Sequence, residues 1–357
     1  MSTAGALDAL DTPFLVVDRA VLQRNVERRA RWAVDAGVAL RPHAKTHKSA
    51  RVAAAQLAAG AVGLTVATVG EAEHFAGAGA DDLFLAYPVW AGGARGERLR
   101  DLAGRVRLRV GVDSAEGAQR LAAACGDLAE VAVEVDSGHH RTGVTPDRAA
   151  DVALAAARAG LRVAGVFTFP GHSYAPGAPA DVAAQELAAL TAASEGLRAA
   201  GLDAPLRSGG STPTAGLAAE AALDEVRPGV YVFGDAQQVE LGLTAFEDVS
   251  LWAEATVVSR RDGVAVLDAG SKVLGRERAT WASGYARLPD VPGARVVALS
   301  EHHATVDLGG ADVPAVGERV RVVPNHVCLA VNLVDELVAL GPDGVERWPV
   351  GARGLNS

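Results

Sequence analysis

The strongest constraint in this sequence is a rhythm. Between residue 38 and about residue 235, a short Val/Leu-rich run repeatedly ends in a polar or Gly-rich cluster, and an Ala-rich stretch of helical length follows. The runs are VALRPHA, AVGLTVAT, DLFLAYP, RVRLRVGVD, EVAVEVD, LRVAGVFTF, APLRSGG and EVRPGVYVFGD. Helical candidates cover 47–59, 70–78, 95–103, 114–124, 146–159, 180–200 and 213–222. Strand alternating with helix implies parallel βαβ units, because parallel neighbours need a crossover. Eight strands in about 200 residues fit a closed (β/α)8 TIM-type barrel better than the alternative, a doubly wound sheet. A barrel carries its chemistry at the C-terminal ends of its strands. The polar clusters fall there: Lys45, Asp136 to Arg141, His172 to Tyr174 and Ser208 to Thr212.

After about residue 246 the rhythm changes. LWAEATVVSRRDGVAVLDAGSK, ARVVALSEHHATVDL and ERVRVVPNHVCLAVNLVDELVAL alternate between Gly and Asp turns, which predicts an antiparallel β domain. TPFLVVD, ahead of the first helix, is placed to pair with it. The expected division is a barrel over 19–245 and a β domain of 1–18 plus 246–357, resembling the alanine racemase arrangement. A length of 357 residues suits one large domain with a smaller one.

Several function classes drop out. A net charge of −9 without a long basic run argues against nucleic acid as a partner. No run of 18 uncharged apolar residues offers a membrane span. The start, MSTAGALDALDTPF, has neither the basic nor the apolar region of a secretion signal. Two cysteines, Cys125 and Cys328, make no disulfide framework for a chain this long, so a cytoplasmic protein is expected.

The first strand poses the sharpest question. Alternation puts Val38, Leu40, Pro42 and Ala44 on one face, and Ala39, Arg41, His43 and Lys45 on the other, toward the barrel interior. Lys48 lies beyond, where a helix should begin. A lysine snorkelling to solvent is the bland alternative for Lys45. An amine held among cations in a partly dry site instead loses its proton more readily, with Arg41 and His43 as tuners. A neutral amine is what an imine with an aldehyde requires. Lys45 is therefore the candidate nucleophile.

PHAKTHK, early in a barrel followed by a β domain, resembles the fold-type III pyridoxal-phosphate enzymes, within them the D-threonine aldolase and D-serine dehydratase group. The resemblance runs from TPFLVVD to PNHVCLAVNLVDE. It implies that Lys45 binds pyridoxal 5'-phosphate, with His43 and Tyr174 beside it. In DSGHHRTG it implies that Arg141 meets the cofactor's phenolic oxygen. RSGGSTPT and RPGVYVFGD resemble a phosphate cup, with Gly210, Ser211, Thr212, Gly229 and Val230 as contacts; Arg227 stands where related racemases keep an arginine on the pyridine nitrogen.

His326 and Cys328, at i and i+2, are expected on one side of a strand. A buried Cys with a hydrogen-bonded His is usually structural. As ligands, the two would half-fill a four-coordinate shell and leave room for substrate and water. Thiolate with imidazole favours Zn²⁺ over Mg²⁺ or Ca²⁺, with another divalent ion such as Mn²⁺ as the substitute. The family resemblance implies a metal on this pair, and its H-x-C form, with PGHSY and GGSTPT, resembles the dehydratases. Phe169 departs from the histidine those sequences carry, and VLGRER departs from a Ser- and Asp-containing string.

The expectation is a pyridoxal-phosphate and divalent-metal dependent lyase acting on a small D-3-hydroxy amino acid, with β-elimination to a keto acid and ammonia favoured. Retro-aldol cleavage to glycine and an aldehyde is the alternative. An amino-acid racemase and a non-catalytic cofactor carrier are the readings from other classes. Lys45, Tyr174, His172 and His303 are the catalytic candidates, and the resemblance implies a homodimer.

Overall fold

The computed structural model describes residues 7–219 and 223–357, with side chains undescribed at 218 and 219. The chain divides into two units. One comprises Met1–Arg28, Thr46–Arg51 and Val230–Gly354; the other comprises Arg29–Lys45, Val52–Gly229 and Leu355–Ser357. No helix among the described residues is long and apolar enough to cross a membrane.

The first strand, β1 (Phe14–Asp18), belongs to the first unit. The second unit holds eight strands: β2 (Ala39–Leu40), β3 (Leu64–Val66), β4 (Asp82–Pro88), β5 (Arg107–Val112), β6 (Ala129–Glu134), β7 (Arg162–Phe167), β8 (Leu206–Gly209) and β9 (Glu225–Val226). They run in the order β2-β9-β8-β7-β6-β5-β4-β3, each pair parallel. A parallel bridge from His43 to Thr65, with the Thr65 amide on the Pro42 carbonyl at 2.8 Å, joins the two ends of this row. The expected TIM-type barrel is thus present, with each expected run contributing a strand. The helix expected over 213–222 is seen as Ala215–Ala219; residues 220–222 lie outside the described residues.

Apolar side chains fill part of the barrel. Phe84 of β4 and Phe167 of β7 meet edge to face at 5.0 Å, packed with Ala132 of β6. A buried ionic belt fills another part. Arg41 donates from Nε to Glu225 at 2.6 Å and from Nη1 to Asp82 at 2.7 Å, and Arg109 pairs with Glu130 at 3.3 Å.

One expectation is met only in part. The regular strand ends at Leu40, but the Arg41 and His43 amides still donate to the Val226 and Pro228 carbonyls at 3.0 and 3.1 Å, so the pairing drawn through Arg41 reaches His43 and only Lys45 leaves it. The chain then turns into a short 3₁₀ helix, Ala44–Thr46, and this turn carries Lys45.

The first unit adds β10 (Leu251–Arg261), β11 (Val264–Leu267), β12 (Ala286–Arg287), β13 (Arg295–Leu299), β14 (Ala304–Asp307), β15 (Arg319–Pro324), β16 (Glu336–Gly341) and β17 (Gly344–Pro349). The order β11-β14-β13-β12-β15-β10 returns on itself through a β10–β11 pairing, a six-stranded ring, and continues through β1, β16 and β17. Long β10 serves both parts: its start pairs with β1 and its end with β11. The pairs are antiparallel as expected, except that β1 and β16 run parallel. Val16, Trp252, Val323 and Val338 form a core there.

Candidate active site

Lys45 lines a pocket together with His43, Arg141, Phe169, Gly210 and Arg227. Four segments distant in sequence therefore meet at the lysine that the sequence singled out. Its Nζ stands 5.3 Å from the centre of the Phe169 ring, and the Arg141 guanidinium stands 5.0 Å from the same ring. An aromatic quadrupole thus faces both cations. Arg41 does not aim at the amine as expected, since Glu225 and Asp82 engage its charge. Lys48 is buried and donates to the Ala352 carbonyl at 3.3 Å, within the other unit.

The loop after β6 presents Arg141. Asp136 accepts the amides of Gly138 and His140 at 2.9 and 3.0 Å, and holds the His140 ring at 2.7 Å. Gly138 at φ +119° and His140 at φ +57° bend the chain tightly. Just before the loop, Glu134 is buried. One of its oxygens accepts from Thr142 at 3.0 Å and the other has no hydrogen-bond partner among the described residues. Burial pushes its pKa up to about 6.

Past β8, the Gly210 amide donates to buried Glu186 at 2.6 Å, and the Ser211 amide donates to Thr214 Oγ1 at 3.0 Å. Gly210 sits at φ +70°, and a Cβ there would lie 2.8 Å from Val226. The Thr212 hydroxyl is buried without a hydrogen-bond partner among the described residues. That suits an anion acceptor such as a phosphate oxygen. Gly229 follows β9 and leads directly into Val230, which opens a 3₁₀ turn of the other unit.

Arg227 is buried, held by the Ser208 hydroxyl and the Thr168 carbonyl, with its guanidinium over Phe167 at 5.3 Å. Burial lowers its pKa to about 10, against the pull of Glu225, Glu186 and Glu134. A cation held in place by this many partners stays charged near neutrality.

His172 lies in the turn Gly171–Ser173 and meets Gln185 at 2.9 Å; half-buried Tyr174 follows it. His139, which the sequence did not single out, stacks on His172 at 6.4 Å and meets Phe169 edge-on at 5.5 Å. Burial, Arg141 and His172 together lower the pKa of His139.

In the first unit, His326 and Cys328 do not lie on a strand. β15 ends at Pro324, His326 caps the short helix Val327–Val331, and Cys328 is in that helix. His326 Nδ1 meets Glu277 at 2.7 Å, and Cys328 Sγ lies 3.3 Å from the Thr46 hydroxyl. Glu277 comes from the VLGRER string that departed from expectation. Burial disfavours the His326 imidazolium, but Cys328, Glu277 and Asp235 outweigh it and raise its pKa to about 11. Surroundings that hold a proton so firmly also suit a metal cation. No group of three or more His, Cys, Asp and Glu side chains converges among the described residues, so the protein would supply only part of a metal shell. His303 is exposed, between β13 and β14 of the same unit.

Two family models match the chain: the alanine racemase N-terminal domain over residues 17–237 and a putative serine dehydratase domain over 250–340. The chain is 39% identical to D-threo-3-hydroxyaspartate dehydratase of Delftia sp. (strain HT23), across 95% of its length and 97% of that protein's. It is 35% identical to D-threonine aldolase of Arthrobacter sp., across 98% and 94%. A solved histidine-to-alanine variant of D-threo-3-hydroxyaspartate dehydratase superposes with a TM-score of 0.89 at 37% identity, covering 96% of this chain and 95% of that one. A cysteine-to-alanine variant, substituted two positions further on, is solved in a metal-free form with a TM-score of 0.88 at 37% identity, covering 96% of this chain and 98% of that one.

Proposed function

The chain belongs to the fold-type III pyridoxal-phosphate enzymes of the D-threonine aldolase and D-serine dehydratase family, and from that premise we propose that it removes water from a D-3-hydroxy amino acid by β-elimination, giving a keto acid and ammonia. The observation that carries the choice is the spacing of His326 and Cys328. The same residue types, two positions apart, were those substituted in the dehydratase relative.

When bound, pyridoxal phosphate supplies an electron sink at the substrate Cα, and a divalent ion supplies a Lewis acid at the 3-hydroxyl. Lys45 would hold the cofactor and, as a free amine, take the α-proton. Arg141 would meet the phenolic oxygen and Arg227 the ring nitrogen. Ser211, Thr212, Gly229 and Val230 would receive the phosphate; the Gly210 amide, turned to Glu186, fixes the shape of that turn instead. His326 and Cys328 would hold the metal, Zn²⁺ on the softness of the thiolate. His172 and Tyr174 beside the cavity, and His303 in the first unit, are candidates for moving the second proton. A homodimer is part of this reading, and sedimentation at the 36.4 kDa of one chain would remove it.

Retro-aldol cleavage is the second reading, favoured by the D-threonine aldolase relative. The two separate by product. The purified enzyme is given D-serine, D-threonine and D-threo-3-hydroxyaspartate, with and without added Zn²⁺. Keto acid and ammonia are expected, dependent on the metal; glycine with an aldehyde as main products overturns the choice.

A further inference from the structure

Between the two residues assigned to the metal stands Val327, and a side chain from far off in the sequence holds its backbone. The Val327 amide donates to Asp235 Oδ2 at 3.2 Å, across 92 residues. Asp235 is buried, and its other oxygen, Oδ1, accepts the Gln238 amide at 2.9 Å and so caps the short helix Ala236–Glu240. One carboxylate thus joins the first turns of two helices: its own, and the Val327–Val331 helix that carries Cys328.

A second bond runs between the same segments. The Gln237 amide donates to the Asn325 carbonyl at 3.3 Å. Residues 325 and 327, on either side of His326, are therefore pinned to residues 237 and 235. The buried Asn325 side chain donates to the Gly284 carbonyl at 2.7 Å and to the Glu277 carbonyl at 3.4 Å. Glu277 in turn meets the His326 ring. The backbone around His326 and the carboxylate against its ring belong to one hydrogen-bonded frame.

A site with two protein ligands needs such a frame, because so few bonds to metal cannot organise a loose segment by themselves. The helix Val327–Val331 has five residues, too few to persist on its own hydrogen bonds. What fixes its first turn also fixes the spacing of His326 and Cys328. Asp235 exceeds what a cap requires. A serine caps a helix with one oxygen, whereas the second oxygen of Asp235 is given to Val327.

We propose that Asp235 is a positioning residue for the metal pair: by fixing the Val327 amide, it sets the backbone from which His326 and Cys328 reach a shared cation. The inference rests on the assignment of a divalent metal to those two residues.

The test is Asp235→Ser in the cofactor-loaded enzyme. Its single oxygen still caps Ala236–Glu240 but stands one bond nearer the backbone, too short to serve Val327 as well. Zn²⁺ affinity is read by competition with a chelating dye. Co²⁺ is the visible probe, because a thiolate ligand gives it a sulfur-to-metal charge-transfer band, taken as the difference between Co²⁺- and Zn²⁺-loaded protein. The variant should bind Zn²⁺ about 10–100-fold more weakly than the wild type, and its Co²⁺ band should shift or weaken. A lower melting temperature with affinity and spectrum unchanged is what a helix cap alone produces, and that result overturns the proposal. If Asp235→Ser does not fold, Asp235→Thr decides: its methyl refills lost volume, and the extended backbone at φ −159° and ψ 174° suits a β-branched residue. If the wild type itself shows no charge-transfer band, Cys328 holds no metal, the metal assignment is wrong, and the proposal falls with it.

Discussion

At the scale of single residues, the site divides into groups that announce themselves and groups that do not. Lys45→Ala should abolish the cofactor's visible absorbance and lower turnover by more than about 10³-fold; a variant that stays yellow would remove Lys45 from its role. Lys45 stood out because Arg41 and His43 precede it at alternate positions, yet one of those two neighbours is engaged elsewhere. Arg41 is spent on Glu225 and Asp82, partners 184 and 41 residues away that no local pattern reveals. Glu277 was illegible for the same reason: it reaches His326 across 49 residues. Because its carboxylate orients the imidazole, Glu277→Ala should weaken Zn²⁺ binding by about 10–100-fold, read by competition with a chelating dye. An unchanged affinity would mean that His326 is not a ligand.

At the scale of elements, the periodicities were informative and their limits were set by proline. All eight barrel runs were readable because buried parallel strands are short Val/Leu-rich stretches bounded by turns. The extended pairing ends just past Pro42, at His43, and again at Pro324, and the chain then turns, so Lys45 and His326 sit on turns rather than strands. With β2 only two residues long, the ionic belt does much of its anchoring: Arg41 ties it to Glu225 of β9 and Asp82 of β4. Arg41→Ala should cost about 3–5 kcal/mol in urea unfolding, because it removes the short ion pair of buried Glu225 and leaves that carboxylate only Arg109 at 3.6 Å and the Ser208 hydroxyl at 2.7 Å. A loss under about 1 kcal/mol would show that the belt contributes little.

For the whole molecule, the buried carboxyls predict how stability depends on pH. Glu134 and Glu186 have folded values of about 6 and about 7, raised from the ordinary 4.5. The unfolded chain therefore releases their protons first. Their contribution is fully present below the unfolded value and lost as pH rises through the folded ones. Glu225 and Glu130, held below the ordinary value in spite of burial, act in the opposite sense and lose their contribution as pH falls through the acid range. The melting temperature of the cofactor-free protein should peak on the acid side of neutrality and decline toward about pH 8. Glu186→Gln should flatten the decline; a maximum above neutrality in the wild type would contradict the assignment. None of this was legible in the sequence, where Glu134 reads as a strand residue and Glu186 as a helix residue, since burial is a property of the assembled fold.

The place of β1 has a consequence in time. Val16 pairs with Trp252 on one side and Val338 on the other, although the ribosome makes these partners roughly 240 and 320 residues later, some 10–60 s at about 5–20 residues per second. FLVVD must wait through the whole synthesis of the barrel without a neighbouring strand. A nascent chain arrested near residue 245 should be cut by protease at this segment, whereas one released past Gly341 should be protected. The first apolar segment to be made is among the last to be sheltered, which marks it as the part of the nascent chain most in need of a chaperone.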